Sequence, residues 1–485
     1  MLTHLRPRFR LNIAKEELLL PFIIGALLGG VAILAYHLPT AWGGLIVMGI
    51  AGVTATLWLN DLKRALLIAL TVDQGLGLDI ALANVPHLGG PGGFTISLMS
   101  IAIVAGYIQW FIEPHRRPLF RHHRDVVLPA ALFLLLNLAS GLQAVYLRFT
   151  ITLTVLLAQC FLMYLYLVNY VTDWQDVRLI LMVLALLLGA QASLMVVQYT
   201  TGAELDILGM QSKAYVGNTA SVSGRRVAGT LASPNAAATF LMFSMLITLA
   251  GFLSEGHWIN KYLAAGSLGM GSIALIATYS RSGWIGFAVG AVVVASIAWY
   301  RKVGRQEVVM LTVGGLMLMG AFSREIISRL TGDDNNSALS RIWQTKLAFN
   351  IIRAHMFTGI GANNLVFVER DYLPIELMGT RRLYMIHNKY WSVWVETGLF
   401  GLLSFLWLLI APLWRAVRGI ARAADPYESI LMAGLLAALG GYAFHMTGDP
   451  FSSRLRIEPL WFLIAMIVAT SRLIRSKHVD TEHVA

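Results

Sequence analysis

Residues 236–254, Ala236 through Ser254, read AAATFLMFSMLITLAGFLS, nineteen positions without one charged side chain. A helix needs about 20 apolar residues to cross a hydrocarbon core. The stretch shows no strand-like alternation. Inside lipid a helix satisfies its backbone hydrogen bonds within its own segment. This stretch therefore predicts a transmembrane helix, and the chain repeats it on both sides. Comparable runs lie at about 17–36, 39–59, 64–80, 94–113, 126–144, 150–171, 177–198, 261–279, 282–300, 307–321, 390–413, 427–447 and 457–472. The fold class expected is an all-α polytopic integral membrane protein with about 12–14 transmembrane helices. The run at 64–80 carries Asp73 and Asp79, and that at 307–321 is short.

Composition agrees. Of 485 residues, 57% are hydrophobic and 13% charged, against about 25% charged in average globular domains. The net charge of +11 would suggest nucleic acid in a soluble protein. Here the positive-inside rule explains it. Basic residues gather at Arg6, Arg8 and Arg10, at Lys63 and Arg64, and from Arg116 to Arg124. They recur at Arg301, Lys302 and Arg305, at Arg415, Arg418 and Arg422, and at Arg472, Arg475 and Lys477. With the spans above, all these loops fall on one side, which the rule makes cytoplasmic, with both termini inside. The basic N-terminus precedes an apolar run with no small-residue cleavage site, so it reads as a retained signal anchor. Cys160, the lone cysteine, lies inside an apolar run and forms no intrachain disulfide.

The opposite side holds the polar stretches long enough to build a site: about 199–235, the turn at Ser280-Arg281-Ser282, about 322–386, and about 448–456. The organisation expected is N-terminal spans over 1–198 and central spans with Arg-bearing loops over 199–321. A large loop at 322–386 and C-terminal spans with a tail over 387–485 complete it. Within the large loop, Trp343, Leu347 and Ile351 recur every fourth residue, so Ser340 to His355 reads as an amphipathic helix ended by Gly359 and Gly361.

The outer side should be poor in arginine, yet Arg225, Arg226, Arg281, Arg324, Arg329, Arg341, Arg353, Arg370, Arg381, Arg382, Arg454 and Arg456 map there. A charge near the bilayer needs a partner, and a guanidinium suits bidentate phosphate recognition. The cluster points to an anionic, phosphorylated ligand. The competing reading pairs these cations with Glu325, Glu369, Asp371, Glu376 and Asp449 or with lipid phosphates. Arg281, in a tight turn between two spans, has the least room to reach bulk water. The stretch RRVAGTLASPN, Arg225 to Asn235, sets two arginines before a span whose N-terminus Ser233 or Asn235 could cap. His387-Asn388 stands at the outer mouth of a span, with Gly398 and Gly401 deeper in it. Histidine serves as a general base near neutral pH, although a lone histidine at a membrane interface is more often structural. No metal-ligand set, Walker loop or Rossmann glycine pattern is present in the outer loops, and Asp333-Asp334 reads as a solvated pair.

Arg341-Ile-Trp343 through Ala348, His355, Gly359-Ile-Gly361-Ala-Asn363-Asn364 and His387-Asn388 with Gly398 and Gly401 resemble the O-antigen ligase and polymerase superfamily. Gly229-Thr230 with Ser233-Pro234-Asn235, and Ser280-Arg281-Ser282-Gly283, match it in order along the chain. The resemblance implies a GT-C-like membrane glycosyltransferase of the bacterial inner membrane, working at the periplasmic face without metal or nucleotide cofactor. Its donor is a glycan on undecaprenyl pyrophosphate, and its acceptor is a sugar hydroxyl on lipid A core or on another lipid-linked glycan. It further implies that Arg225, Arg226, Arg281 and Arg341 hold the pyrophosphate and that His387 deprotonates the acceptor, with inversion. Arg281 assists the chemistry, and Asn388, Asn235, Asn364, Gly398 and Gly401 support the site. Which of Arg225 and Arg226 meets phosphate stays open, as does ligase against polymerase. A lipid-linked oligosaccharide flippase would also want outward cations, but no internal repeat of the transporter kind is visible. A non-catalytic scaffold gives no reason for His387 and the arginines to share one side.

Overall fold

In the computed structural model the described residues are 40–112, 123–207, 209–212, 214–216, 225–331, 337–374 and 385–482. The predicted span at 17–36 and the Asp333-Asp334 pair lie outside them. The chain runs α1 (Thr40–Leu59), α2 (Leu62–Asp73), a hairpin of β1 (Asp79–Leu82) and β2 (Phe94–Ser97), then α3 (Leu98–Ile112). Next come α4 (Arg124–Ser140), α5 (Leu147–Tyr170) and α6 (Trp174–Thr201). Two further hairpins pair β3 (Leu205–Ile207) with β4 (Met210–Ser212), and β5 (Ala214–Val216) with β6 (Arg225–Val227). The remaining helices are α7 (Pro234–Leu253), α8 (Lys261–Ala277), α9 (Arg281–Tyr300), α10 (Arg305–Ala321), α11 (Ser323–Thr331), α12 (Ser337–Ala354), the short α13 (Leu365–Val368), α14 (Lys389–Arg422), α15 (Pro426–His445) and α16 (Arg454–Glu482).

Among the described residues, nine helices are long and apolar enough to cross a membrane: α1, α4 extended to Gln143, α5, α6, α7, α9, α14, α15 and α16. The helices α3 and α8 are apolar but shorter. The span expected at 64–80 is corrected: α2 stops at Asp73 and the chain turns into the β1–β2 hairpin. The reason is an ion-pair cluster. The Asp73 carboxylate accepts from Ser97 Oγ and from Met99 N, both at 2.9 Å, and pairs with Arg454 at 2.9 Å. Arg454 also pairs with Glu458 at 2.7 Å and with Asp79 at 3.3 Å. A continued helix would carry both aspartates into lipid unpaired, which is costly. Arg454 is therefore committed to an internal pair.

The helix α7, read first in the sequence, is the axis of the bundle. Its whole apolar window is buried, against α6, α8, α9 and α15. A helix apolar on every side requires neighbours on every side.

Among the described residues the basic loops share one end. Lys63 pairs with Asp176 at the start of α6 at 2.6 Å, and Arg301 donates to Ile420 O near the end of α14 at 2.8 Å. Arg472 donates to Val168 O at 2.7 Å, and Arg415 pairs with Asp125 at the start of α4. His387 and the first residues of α7, α9, α14 and α16 lie at the other end.

Candidate functional site

At the His387 end, α7 begins as its sequence predicts. Ser233 accepts from Ala236 N at 3.2 Å and caps the helix, which frees Asn235 for another task. Arg226 Nε donates to Thr278 O at 3.0 Å, and its Nη2 donates to Asn235 Oδ1 at 3.2 Å. Asn235 Nδ2 donates in turn to Asp449 Oδ2 at 2.9 Å. Asp449 closes the chain by pairing with Arg456, whose Nη2 donates to Ser233 Oγ at 3.0 Å. Residues more than 200 positions apart thus form one charged, hydrogen-bonded ring around the mouths of α7, α9 and α16.

Arg281 is the first residue of α9 and is half-buried. The neighbouring Ser282 lies against Gly448, next to Asp449, with Ser282 Oγ 3.8 Å from where a Cβ on Gly448 would stand. Arg225 stands opposite Val216 in the β5–β6 hairpin, and its side chain lies outside what the structure describes. Arg341 is exposed on α12. Of the four predicted pyrophosphate ligands, the structure brings Arg226 into the ring and sets Arg281 beside it.

His387 is half-buried and stands just before Asn388, the residue that caps α14. Its backbone N–H donates to Gln344 Oε1 of α12 at 2.9 Å. Asn388, predicted as a supporting residue, is the helix cap, accepting from Tyr390 N at 2.9 Å and Trp391 N at 3.2 Å. Lys389 N donates to Met446 O at 2.8 Å, which ties the mouth of α14 to the end of α15. Burial lowers the His387 pKa, Asp449 opposes that, and Arg341 and Arg456 lower it further. Burial and the two guanidinium groups thus disfavour the charged imidazolium, and a base needs the neutral form. Burial alone would raise the Asp449 carboxyl, but Arg456 and His445, with hydrogen bonds from Phe451 N and Asn235, hold it below the usual carboxylate value. His387 thus lies within electrostatic reach of the Asp449 carboxyl and of the Arg341 and Arg456 guanidinium groups.

The glycines of the motif serve the fold. At Gly398 α14 breaks, with φ 72° and ψ −177°, a conformation essentially restricted to glycine. The segment 356–361 runs into the break. Ile360 N donates to Val395 O and Gly361 N to Glu396 O, both at 3.0 Å, while Leu399 N donates to Met356 O at 2.9 Å. A Cβ on Gly398 would stand 2.0 Å from Phe357 O, and one on Gly359, where φ is +66°, 2.4 Å from Glu396 O. The asparagines that follow act as clamps. Asn364 accepts from Tyr146 N at 2.9 Å and donates to Thr150 Oγ1 at 3.1 Å. Asn363 Oδ1 lies 2.8 Å from His87 Nε2, and that ring stacks on Phe149. His355 meets the Tyr372 hydroxyl at 2.7 Å.

The amphipathic helix lies where periodicity put it, at 337–354. Leu347 and Ile351 are buried together with Ala348, Ile352, Ile386 and Val395. That packing positions Gln344 against His387.

Sequence reasoning counted Arg456 among the outer arginines and Asp449 among the carboxylates that could pair with them, and singled out neither as a site residue. The signal available was a Gly-Asp-Pro turn between two spans, at Gly448 to Pro450, with an arginine six residues after it. It also passed over Lys389 and Glu396, which with Asn137 and Arg456 line a cavity of about 30 Å³ inside the bundle below His387. That volume holds about two water molecules.

Residues 266–406 match the family model for O-antigen ligase. The match takes in Arg281, α12, the Gly359–Asn364 segment, His387, Gly398 and Gly401, and supports the resemblance to the O-antigen ligase and polymerase superfamily. It leaves Arg226, Asn235, Asp449 and Arg456 outside. The comparison with curated proteins gave no match. The chain is a multi-pass membrane protein by its long apolar helices, and its residues 266–406 are similar to the O-antigen ligase family.

Proposed function

We propose that this protein is an inverting glycosyltransferase that moves a glycan from undecaprenyl pyrophosphate to a sugar hydroxyl at the periplasmic face of the bacterial inner membrane. The observation that supports the reading is His387 at the mouth of α14, its backbone held by Gln344 and its charge coupled to Asp449, Arg341 and Arg456, within the stretch that matches the family model. His387 takes the proton of the acceptor hydroxyl as that oxygen attacks the anomeric carbon. The bond from that carbon to the pyrophosphate oxygen breaks, and the leaving group departs with the electron pair. Negative charge develops on it, and fixed cations at that point lower the barrier. In this reading Arg281 and Arg226 supply them, and the hydrogen bonds from Arg226 to Asn235 and from Asn235 to Asp449 support it. Asp449 also stabilises the imidazolium formed on His387. One displacement inverts the anomeric centre, and the arginines supply the charge that a metal would otherwise provide.

The periplasmic assignment rests on the basic loops meeting at the opposite end of the bundle. The test is a reconstituted assay with an undecaprenyl pyrophosphate-linked glycan, EDTA, and a choice of lipid A core or a second lipid-linked repeat as acceptor. Product on the core, lost in His387→Ala, establishes a ligase. A ladder on the carrier establishes a polymerase. No product from the native donor with either acceptor overturns the reading and favours a flippase.

A further inference from the structure

Two ionisable side chains stand inside the bundle below His387 and take no part in the chemistry above. Lys389 and Glu396 line the cavity of about 30 Å³ together with Asn137 of α4 and Arg456 of α16. The rest of the wall is mostly apolar, with Phe405 and Trp461 in it. Glu396 is 6% exposed and Lys389 is half-buried. Seven residues apart, they lie on one face of α14, about 10 Å apart along its axis. Each feels the other's charge, and the Asn363 backbone N–H also interacts with the Glu396 carboxyl. Among the described residues no ion pair within 4 Å joins the two directly.

Such an arrangement is not the most stable filling of this space. Charges in a membrane interior are costly, and those that persist there face a polar cavity, pair with one another and mark function. Well-packed apolar residues in place of a buried pair are often as stable or more so. The cavity between the ammonium and the carboxylate has room for about two waters, and a buried water takes about three polar partners. Arg456 Nε borders the same space and is buried without a hydrogen-bond partner in the protein. Two waters there join the ammonium, the carboxylate and Nε.

The three groups belong to three different parts of the site. Lys389 is at the mouth of α14, two residues after His387, and its backbone N–H donates to Met446 O at 2.8 Å. Glu396 is at the break, two residues before Gly398, and its backbone O accepts from Gly361 N at 3.0 Å. Arg456 pairs with Asp449 and donates to Ser233 in the ring.

We propose that Lys389 and Glu396, bridged through cavity water and joined to Arg456, are positioning residues that hold His387 and the ring in register with the inserted segment 356–361. The consequence for catalysis rests on the transferase reading, while the coupling between the two ends of the pair is measurable without turnover.

The test uses the full chain in phosphatidylcholine nanodiscs. The double variant Lys389→Met, Glu396→Gln removes both charges and leaves neither unpaired, so it should melt at or above the wild-type temperature. Its kcat should fall about tenfold or more with donor and acceptor KM within about twofold, since a misplacement of about 1 Å can cost that much. Wild-type kcat in this variant, a loss confined to KM, or a clear fall in melting temperature overturns the proposal. Amide exchange reads the coupling itself. In Glu396→Gln the Lys389 N–H, two turns away, should exchange about tenfold faster, and in Lys389→Met the Gly361 N–H should do the same. Acceleration confined to the substituted end overturns the proposal whether or not the protein transfers a glycan. If either single variant fails to fold, the double variant decides, and unchanged exchange at both amides then overturns it. Wild-type protein that transfers nothing from the native donor, while both distant amides respond in the variants, shows that the transferase reading alone has failed.

Discussion

The substitution Gly398→Ala places a methyl group at the break in α14. Its Cβ would lie 2.0 Å from Phe357 O, 2.4 Å from Phe357 C and 2.9 Å from Thr358 N. All three atoms are backbone, held by the hydrogen bonds from Ile360 N to Val395 O and from Leu399 N to Met356 O, so no side chain can swing aside. The conformation at φ 72° and ψ −177° costs a residue with a Cβ about 1–3 kcal/mol. Forcing the inserted segment outward adds about 1–3 kcal/mol, as overpacking does. The expected destabilisation is about 4 kcal/mol. The assay is equilibrium unfolding in mixed micelles followed by tryptophan emission, because Trp394 Nε1 donates to Met356 O at 3.1 Å and so reports on this junction. Gly266→Ala in α8 is the control. Nothing lies within 4 Å of its Cβ position, and alanine there should stabilise by up to about 1 kcal/mol. Unfolding of Gly398→Ala within about 1 kcal/mol of the wild type would refute the argument. If the variant folded normally and lost transfer, the glycine would belong to the substrate site and not to the chain break.

Two variants should move the acidic limb of the rate profile in opposite directions. The base works as neutral imidazole, so transfer falls as pH drops through the His387 pKa. Asp449→Asn removes a group that raises that pKa and leaves Arg456, which lowers it, uncompensated, so the limb moves to lower pH. Arg341→Gln removes a group that lowers it, so the limb moves to higher pH; shifts of the same sign in kcat profiles would sink the assignment of His387 as base. His387→Gln should abolish transfer while leaving thermal unfolding within about 1 kcal/mol, because its hydrogen bond to Gln344 is made by the backbone. Arg454→Ala leaves Asp73 and Glu458 buried without their cation and should destabilise by about 3–5 kcal/mol, read as loss of folded protein on size exclusion. Asn235→Ala should weaken donor use more than stability, since it frees Arg226 without emptying the core, and an unchanged KM for the donor would contradict that.

Hydropathy along the chain determined the all-α membrane class and placed α5, α6, α7, α9, α14, α15 and α16 to within a few residues, apart from the extra length at the ends of α14 and α16. That information is local: an apolar run of this length has few places to go but a bilayer, and its helix closes its own hydrogen bonds. The grouping of basic loops was legible for the same reason, since alternate loops must fall on alternate sides. Of the stripe read from spacing on α12, Leu347 and Ile351 are buried together while Trp343 is half-buried. Charges inside the runs were harder to read. Asp73 could be placed only when Arg454, 381 residues away, supplied its partner.

Tertiary structure decided the rest. The glycines of the His-Asn motif could be read from sequence as close-packing positions in a straight helix. The structure shows Gly398 breaking that helix to admit residues 356–361, because hydrogen bonds between distant segments leave no trace in local periodicity. Asn235 could have been a cap by its position, yet Ser233 took that role and Asn235 bridged Arg226 to Asp449. Which arginine answers which carboxylate depends on distances through space. Sequence could count the outer cations and place them on one side, while tertiary packing brought Arg226 and Arg456 together around Asn235 and Asp449.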